Sequence, residues 1–251
     1  MGRRAAGLAA GSGPPTRLPF FDLLEEGAVT CPHTRFEEAL FAAGRTRVAG
    51  VDEAGRGPIA GPVVAAAVIL PFPCPIAGID DSKRLSPARR EALNEAIHQH
   101  AIAVGVGTAG AALIDRINIL EATRLAMRQA LAALEPAPDA VLVDAVRLPE
   151  LPWPHYAVIG GDRLCLSVAA ASIVAKVTRD RLLRELDQRY PQYGFAQHKG
   201  YPTPQHLECL VRYGPCPEHR RTFAPVRQAL AETTHLNLHE DERRPPLWTG
   251  P

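Results

Sequence analysis

Two adjacent carboxylates, Asp52 and Glu53, follow a short apolar stretch within the segment VAGVDEAGRGP, residues 48–58. Burying two neighbouring carboxylates costs several kcal/mol unless a positive charge neutralises them. The next residues, Gly55, Arg56 and Gly57, offer exposed backbone groups and one guanidinium beside that pair. The segment therefore predicts a metal site next to a backbone-lined anion pocket. An acidic turn between two strands is the alternative interpretation.

Two more carboxylates stand at comparable junctions, since Asp144 follows the apolar run 141–143 and Asp162 heads a predicted long helix. Functional groups of open α/β sheets gather at strand ends. Clustered carboxylates there repel each other by roughly 4 kcal/mol per close pair at an effective dielectric of about 20. Oxygen ligands of this kind suit Mg²⁺ or Mn²⁺ rather than Zn²⁺. A helix N-cap is the alternative for Asp162 and a turn for Asp144, and Asp180 is interpreted as a structural ion pair.

The segment 105–110 matches G-x-G-x-x-G, the fingerprint of a dinucleotide site. That fingerprint also requires an acidic residue about 20 positions further on, at the end of the next strand. The next predicted strand ends at Asp144, and Glu121 falls inside a predicted helix. The match is therefore weak, and no nucleotide cofactor is expected.

The region 198–221 combines basic and aromatic side chains. His198, His206 and His219 lie near two cysteines, but their spacing fits no standard zinc module, so they are interpreted as surface or phosphate-side residues. Arg220 and Arg221, with Lys199 and Tyr201, suit a sugar-phosphate backbone and a stacked base or sugar. A solvated basic face is the alternative.

The elements that position these residues follow from apolar runs and punctuation. Helices are predicted where helical spacing or Ser-Pro and Thr-Pro starts occur, over 33–43, 88–99, 118–134, 162–189, from 203 and over 223–232. Strands are predicted over 48–52, 63–70, 101–107, 140–143 and 155–159. An antiparallel trio followed by α–β crossovers gives an α/β sheet with helices on its faces.

Composition limits the class of protein. The chain has 251 residues, 46% of them hydrophobic, and a net charge of +1, so a nucleic-acid partner must be held by local patches. Five scattered cysteines without a C-x-x-C pair favour reduced thiols and a cytoplasmic location. No apolar run reaches membrane-spanning length, so no membrane association is expected. A leader, 1–32, and a polar Pro-rich tail, 234–251, are predicted to flank one domain, 33–233.

Several longer segments together resemble the bacterial ribonuclease HII family, the type 2 ribonucleases H. They occur in the family's order from residue 48 to about residue 230 and include VAGVDEAGRGPIAGPVVAAAVIL, IDDSKRLSPARREAL, AAASIVAKVTRDR, YPQYGFAQHKGYPTPQHL and EHRRTFAPV. The resemblance implies a ribonuclease H-like mixed five-stranded sheet flanked by helices, with a C-terminal helical portion. A departure is Ala145-Val146 after Asp144, where Gly is usual.

By the same resemblance, the metal-binding catalytic carboxylates are Asp52, Glu53, Asp144 and Asp162. Gly55, Arg56 and Gly57 correspond to the loop that recognises the nucleotide with the 2′-hydroxyl, and Tyr201 to the tyrosine that packs on the following deoxyribose. The family's basic positions facing the backbone are Lys83, Lys176 and Lys199.

The implied activity is endonucleolytic cleavage of the RNA strand of RNA/DNA hybrids and incision 5′ to single ribonucleotides in duplex DNA, by a monomer. Two divalent ions, Mn²⁺ or Mg²⁺, about 4 Å apart and bridged by Asp52 would support in-line hydrolysis to 5′-phosphate and 3′-hydroxyl ends. Two alternatives stay open. One is a non-catalytic hybrid-binding module, should Ala145 misplace Asp144; the other is an oxidoreductase that uses residues 105–110.

Overall fold

The computed structural model of the protein describes residues 31–231 and shows an α/β fold. The strands are β1 Val48–Ala54, β2 Val63–Ile69, β3 Ala103–Ala109, β4 Ala140–Asp144 and β5 His155–Val158. The helices are α1 Arg35–Ala42, α2 Pro87–His100, α3 Ala111–Ala132, α4 Gly161–Leu164, α5 Leu166–Arg189, α6 Phe195–His198, α7 Pro204–Tyr213 and α8, residues 224–231, with a 3₁₀ turn at Pro191–Tyr193. No helix in 31–231 is both long and apolar enough to cross a membrane.

The five strands form one mixed sheet in the order β3-β2-β1-β4-β5. β1 pairs antiparallel with β2 and β2 with β3, whereas β4 runs parallel to β1 and β5 parallel to β4. The predicted antiparallel trio with crossovers is confirmed. Because β1 and β4 are parallel neighbours, with Val51 opposite Val143, their carboxyl ends and the residues Asp52 and Asp144 lie side by side.

Helices cover both faces of the sheet. One face packs against α3 through buried residues such as Met127 and Leu131, and the other packs against α5 through Ile173 and Val174. The first half of α5 is rich in buried alanine, which lets the helix approach the sheet closely. At Gly50 of β1, an added Cβ would lie 2.1 Å from the backbone carbon of Ser167. At this position the backbone of β1 therefore packs directly against the backbone of α5, with no side chain between them.

The glycines of the 105–110 segment have the same purpose on the opposite face. Gly105 and Gly107 lie within β3, where an added Cβ would come within 2.1 Å of the Ala130 oxygen and 2.0 Å of the Ala126 oxygen. Close packing of α3 on β3 therefore accounts for two of the three glycines of the dinucleotide-like pattern. The strand is also antiparallel to its neighbour, unlike the first strand of a dinucleotide-binding unit.

Local capping chemistry fixes several helix starts. Ser86 accepts a hydrogen bond from the Arg89 amide, and Thr203 accepts one from the His206 amide, each with a proline at the first helical position. Asn118 has φ 66° and interrupts α3, and its side-chain oxygen accepts from the amides of Leu120 and Glu121. Asn118, where the sequence predicted a helix to start, therefore caps the second segment of the kinked helix α3.

The long helix predicted from 162 to 189 is wrong in one respect, because the chain breaks at Cys165 into α4 and α5. Cys165 is extended, and His33 bridges it as a short parallel pair: the His33 amide donates to Leu164 O and the Leu166 amide donates to His33 O. The residue at which α4 ends, Cys165, is therefore paired with a residue far earlier in the sequence, His33. The predicted leader and tail lie almost wholly outside residues 31–231, so the domain limits stay predictions.

Gly50→Ala should lower the free energy of unfolding by about 1–3 kcal/mol, because the new methyl group must displace the α5 backbone. Gly110→Ala is the matched control, since an added Cβ at Gly110 meets nothing within 4 Å. Urea unfolding of both variants measures the difference. Equal stabilities for the two variants would contradict the close β1–α5 contact.

Candidate active site

Three carboxylates from three elements converge at the end of the sheet. Asp52 belongs to β1, Asp144 ends β4, and Asp162 lies in the first turn of α4. One oxygen of each lies within 4.8 Å of the others, and Asp52 and Asp162 are buried. Asp162 does not cap its helix; Gly160 holds that position. Within residues 31–231 this is the single group of acidic, histidine or cysteine side chains arranged to hold a metal ion.

The electrostatics of this cluster are unfavourable without a cation. Burial and the charges of Glu53 and Asp144 raise the pKa of Asp52 well above its ordinary value. Burial and the charge of Asp162 raise the pKa of Asp144, although the Gly161 amide donates to its Oδ1 at 2.8 Å. Ionised carboxylates this close repel by roughly 3–4 kcal/mol per pair at an effective dielectric of about 20.

Lys83 supplies part of the missing positive charge. Its Nζ lies 3.0 Å from Asp162 Oδ2, at the groove formed by the cluster. Burial lowers the pKa of Lys83, but the bond and the charge of Asp162 raise it by more, so the net shift is upward. The loop that carries Lys83 is anchored to α5, because the Ser82 amide donates to Ser172 Oγ. The predicted basic position is therefore held against the carboxylates.

Glu53 stands slightly apart from the three aspartates. It is outside the group of three, although it lines the same groove and its charge raises the pKa of Asp52. Glu53 Oε1 accepts from Arg56 Nη1 at 3.2 Å, while its buried Oε2 has no hydrogen-bond partner. Burial raises the pKa of Glu53 more than the neighbouring Arg56 lowers it. An orphaned buried oxygen beside three hard oxygen ligands is the donor set that a divalent cation satisfies.

The turn after Asp144 keeps its geometry without glycine. Ala145 adopts φ 46°, the left-handed region that glycine favours, and its amide donates to Val158 O. The Val146 amide closes the turn onto Asp144 O. Ala145 therefore bears some backbone strain while Asp144 stays in the cluster.

The loop of Gly55, Arg56 and Gly57 is held from below by two buried arginines. Arg220 donates to the carbonyls of Gly55, at 2.6 Å, and Arg56, at 3.0 Å. Arg179 packs under Gly55, where φ is 97° and an added Cβ would lie 2.0 Å from Arg179 Nε. Both guanidiniums are almost fully buried. The prediction that Arg220 faces a sugar-phosphate backbone is wrong, because its guanidinium N–H groups donate to backbone carbonyls of this protein.

Tyr201 closes the other side of the groove. Its ring is 47% exposed, and an added Cβ on Gly57 would lie 3.6 Å from its Cε1, which is ordinary contact. The groove, of about 240 Å³, is lined by Asp52, Glu53, Ala54, Gly55, Arg56, Gly57, Ser82, Lys83, Asp144, Lys176, Arg179 and Tyr201. Three of the four predicted carboxylates, the glycine loop and the tyrosine thus share one surface, whereas Asp162 is buried outside this lining and paired with Lys83.

Two of the three histidines near Tyr201 are not surface residues, contrary to the sequence-based interpretation, and the third, His198, is half-buried with its Nε2 2.7 Å from Tyr193 O. His206 and His219 are buried, with relative exposures of 0% and 1%, and their Nε2 atoms lie 3.1 Å apart. His206 Nδ1 lies 2.8 Å from Tyr201 O. Burial lowers the pKa of each histidine to about 4. They belong to the interior that supports the Tyr201 loop, a role that their spacing in sequence does not reveal.

The remaining lysines lie to one side of the groove. Lys176 lines it but forms an ion pair with Asp180 at 2.7 Å, so the interpretation of Asp180 as a structural partner agrees with the geometry. Lys199 lies in an adjacent cavity with Lys176, Asp180 and Arg184, and its Nζ donates to Ala196 O. The structure therefore brings Lys83 and Lys176 to the carboxylates and leaves Lys199 beside them.

Comparison with known proteins identifies the family to which the chain belongs. A sequence model of the family described as Ribonuclease HII matches residues 49–226. The chain belongs to the ribonuclease HII family. It is 58% identical over 202 residues to the ribonuclease HII of Geobacillus kaustophilus, covering 80% of this chain and 77% of that one. Against the ribonuclease HII of Geobacter sulfurreducens it is 53% identical, covering 79% and 91%.

Solved structures share the fold. Ribonuclease H2 from Pyrococcus horikoshii aligns with a TM-score of 0.65 at 30% identity, over 75% of this chain and 99% of that one. The ribonuclease HII of Archaeoglobus fulgidus, solved in complex with PCNA, aligns with a TM-score of 0.59 at 27% identity, over 71% and 95%. The predicted ribonuclease H-like fold and the membership of a ribonuclease H enzyme family are confirmed.

In metal-free buffer, Asp52→Asn should raise the stability of the protein by about 1 kcal/mol or more, roughly 2–4 °C in Tm, because it removes one repelling charge from the cluster. The same variant should lose most of the stabilisation that added Mn²⁺ gives the wild type. Thermal unfolding with and without Mn²⁺ measures both effects. Asp180→Asn is the control and should keep the Mn²⁺ response; an unchanged response in Asp52→Asn would refute the metal site.

The buried histidines predict an acid-sensitive step in stability. Their pKa values of about 4 lie below the ordinary value of 6.5, so the unfolded chain binds more protons between these limits. Their contribution is complete above pH 6.5 and is lost as the pH falls towards 4. Urea unfolding from pH 7 to pH 4 should show a steeper loss for wild type than for His206→Asn. His100→Asn, at an exposed helix end, should follow the wild type.

Proposed function

We propose that this protein is an endonuclease that hydrolyses the RNA strand of RNA/DNA hybrids and cuts 5′ to single ribonucleotides embedded in duplex DNA. The observation that carries the proposal is the shared groove: Asp52 and Asp144, two of the three carboxylates that lie within 4.8 Å of one another, line the same surface as the Gly55–Gly57 loop and Tyr201. Family membership supports the ribonuclease H activity. The finer claim about single ribonucleotides rests on the loop and the tyrosine.

Asp52, Glu53, Asp144 and Asp162 would hold the divalent ions, two Mg²⁺ or Mn²⁺ during catalysis. Such ions supply activation of a water molecule and stabilisation of the leaving 3′ oxygen, giving 5′-phosphate and 3′-hydroxyl ends. The side chains contribute by being fixed in advance. Asp144 is oriented by the Gly161 amide, and Asp52 by the Glu53 amide at 2.7 Å. Lys83 beside Asp162 provides positive charge where a phosphate would enter.

Ribose recognition is assigned to the Gly55–Gly57 loop. Its backbone is free of Cβ atoms at two of three positions, so amides and carbonyls can approach a 2′-hydroxyl. Arg56 is partly exposed above the groove, where its guanidinium would bind phosphate. A substrate without the hydroxyl leaves polar backbone groups unpaired on binding, which penalises deoxyribose.

Recognition of the next sugar, a deoxyribose, is assigned to Tyr201. Its exposed ring offers a flat apolar face in the groove that Asp52 and Asp144 also line, and a deoxyribose fits that face without loss of a hydroxyl's hydration. Lys176 and Lys199 line a cavity that continues the groove and would face the strand backbone. Residues 33–233 would form the catalytic unit.

A non-catalytic hybrid-binding module is not favoured. That alternative depended on Ala145 displacing Asp144, and Ala145 instead takes the left-handed conformation that keeps Asp144 beside Asp52 and Asp162. The oxidoreductase alternative loses its motif, because Gly105 and Gly107 are packed under α3.

Tyr201→Ala should reduce kcat/KM on a duplex with one ribonucleotide at least tenfold, about the contribution expected of one stacked residue. Cleavage of a hybrid with an all-RNA strand should fall much less. Gly57→Ala should impair both substrates, since its methyl group projects into the groove without a clash inside the protein. Initial rates in one metal and one salt concentration test this, because backbone affinity depends on salt. Full activity of Tyr201→Ala on the single-ribonucleotide duplex would overturn the assignment of Tyr201.

A further inference from the structure

A buried chain of hydrogen bonds runs beneath Tyr201. Tyr201 O lies 2.8 Å from His206 Nδ1, and His206 Nε2 lies 3.1 Å from His219 Nε2. The Cys216 amide donates to His219 Nδ1 at 3.1 Å, and Cys216 Sγ lies 3.2 Å from the same nitrogen. The rings of Tyr193, Phe195 and His198 pack around the pair, with the His198 ring 4.1 Å from that of His206.

The direction of each of these hydrogen bonds follows from the donor at the end of the series, the Cys216 amide. An amide N–H can only donate, so His219 Nδ1 accepts from Cys216 and His219 carries its proton on Nε2. That proton is donated to His206 Nε2, which must therefore be the unprotonated nitrogen. His206 then carries its proton on Nδ1 and donates it to Tyr201 O. Both rings are neutral, and a second proton on either ring would face another N–H across 3.1 Å.

The same segment also holds the opposite side of the groove. Arg220 follows His219 directly and binds the carbonyls of Gly55 and Arg56, while its own amide donates to Ile59 O. His219 and Arg220 therefore connect the tyrosine on one side with the glycine loop on the other. The two sides meet at Gly57 and Tyr201.

We propose that His206, His219 and Arg220 form a bracket that fixes Tyr201 relative to the Gly55–Gly57 loop, and that His206 is a positioning residue for single-ribonucleotide specificity. The inference rests on the proposed function, in which the Gly55–Gly57 loop recognises the ribose and the Tyr201 ring recognises the next deoxyribose. The bracket would set the distance between these two recognition elements. An all-RNA strand, whose cleavage depends less on the ring, would tolerate a looser Tyr201.

Two substitutions separate the two bonds of His206. In His206→Asn the amide nitrogen takes the place of Nδ1 and can donate to Tyr201 O, but the bond to His219 is lost. In His206→Gln the amide oxygen takes the place of Nε2 and can accept from His219, but the bond to Tyr201 is lost. Tyr193→Phe is the matched control, because it removes a 2.6 Å bond to Gly214 O within the same cluster, away from Tyr201.

The measured quantity is the ratio of kcat/KM for a single-ribonucleotide duplex to kcat/KM for an all-RNA-strand hybrid, together with Tm. His206→Gln should lower this ratio roughly fivefold, the effect of one lost hydrogen bond. His206→Asn should lower the ratio as well, because it breaks the link from His206 to His219, whereas Tyr193→Phe should keep the ratio while losing comparable stability. A ratio that is unchanged in His206→Gln, or that falls in all three variants in step with Tm, overturns the proposal.

A second test uses the wild-type protein, so its result does not depend on whether a variant folds. Nitrogen-15 NMR of the imidazole rings at pH 7 should show His206 protonated on Nδ1 and His219 protonated on Nε2, with neither ring cationic. Any other protonation pattern overturns the bracket. A wild type that does not cut the single-ribonucleotide duplex would instead refute the proposed function, whatever the tautomers.

Discussion

The mutual repulsion of Asp52, Asp144 and Asp162, buried at the end of the sheet, is the constraint on which the rest of the structure depends. The parallel pairing of β1 and β4 sets the first two side by side, and the break at Cys165 frees α4 to bring the third. Burial and these charges raise the pKa of Asp52 and Asp144, so the folded protein holds the cluster at a cost in stability. The close β1–α5 contact at Gly50 is among the packing terms that offset this cost. A bound cation would relieve the repulsion among these carboxylates.

A second principle governs the recognition surface, where buried cations bind backbone rather than substrate. Arg179 and Arg220 together donate to carbonyls of residues 55–62 and of Lys199. Burial lowers the pKa of Arg179 to about 10 and of Arg220 to about 9. Such charges are retained only because several carbonyl dipoles surround them. The loop is thereby held from inside the protein, as the proposed recognition of a 2′-hydroxyl at its outer side requires.

Local patterns in the sequence predicted much of this fold, because apolar runs and caps are encoded within a few residues. Ser86 and Thr203 cap the helices that they were predicted to start, and the strand ends at Asp52 and Asp144 follow from their apolar neighbours. The carboxylates came together as expected because parallel strands share an edge. The family resemblance added the roles of the glycine loop and Tyr201, which spacing alone did not contain.

Other features depend on contacts between distant segments and could not be predicted. His33 ends α4 at Cys165, and Asp115 binds the amides of Arg221 and Thr222 from over 100 residues away. Arg220 looked like a phosphate ligand because its type is basic, and only its burial shows that it binds carbonyls. The tautomers of His206 and His219 likewise follow from one amide donor, at Cys216.

The central claim is that the crowded carboxylates Asp52, Asp144 and Asp162 bind a divalent ion, and the raised pKa values of Asp52 and Asp144 imply that this binding displaces protons more as the pH falls. Titration calorimetry of Mn²⁺ into the wild type near pH 6, in buffers of different ionisation enthalpy, measures the protons released per ion bound. We expect net release that falls as the pH rises and that is reduced in Asp52→Asn. Tight Mn²⁺ binding without proton release would show that the carboxylates are fully ionised before the ion arrives. That result would contradict the account.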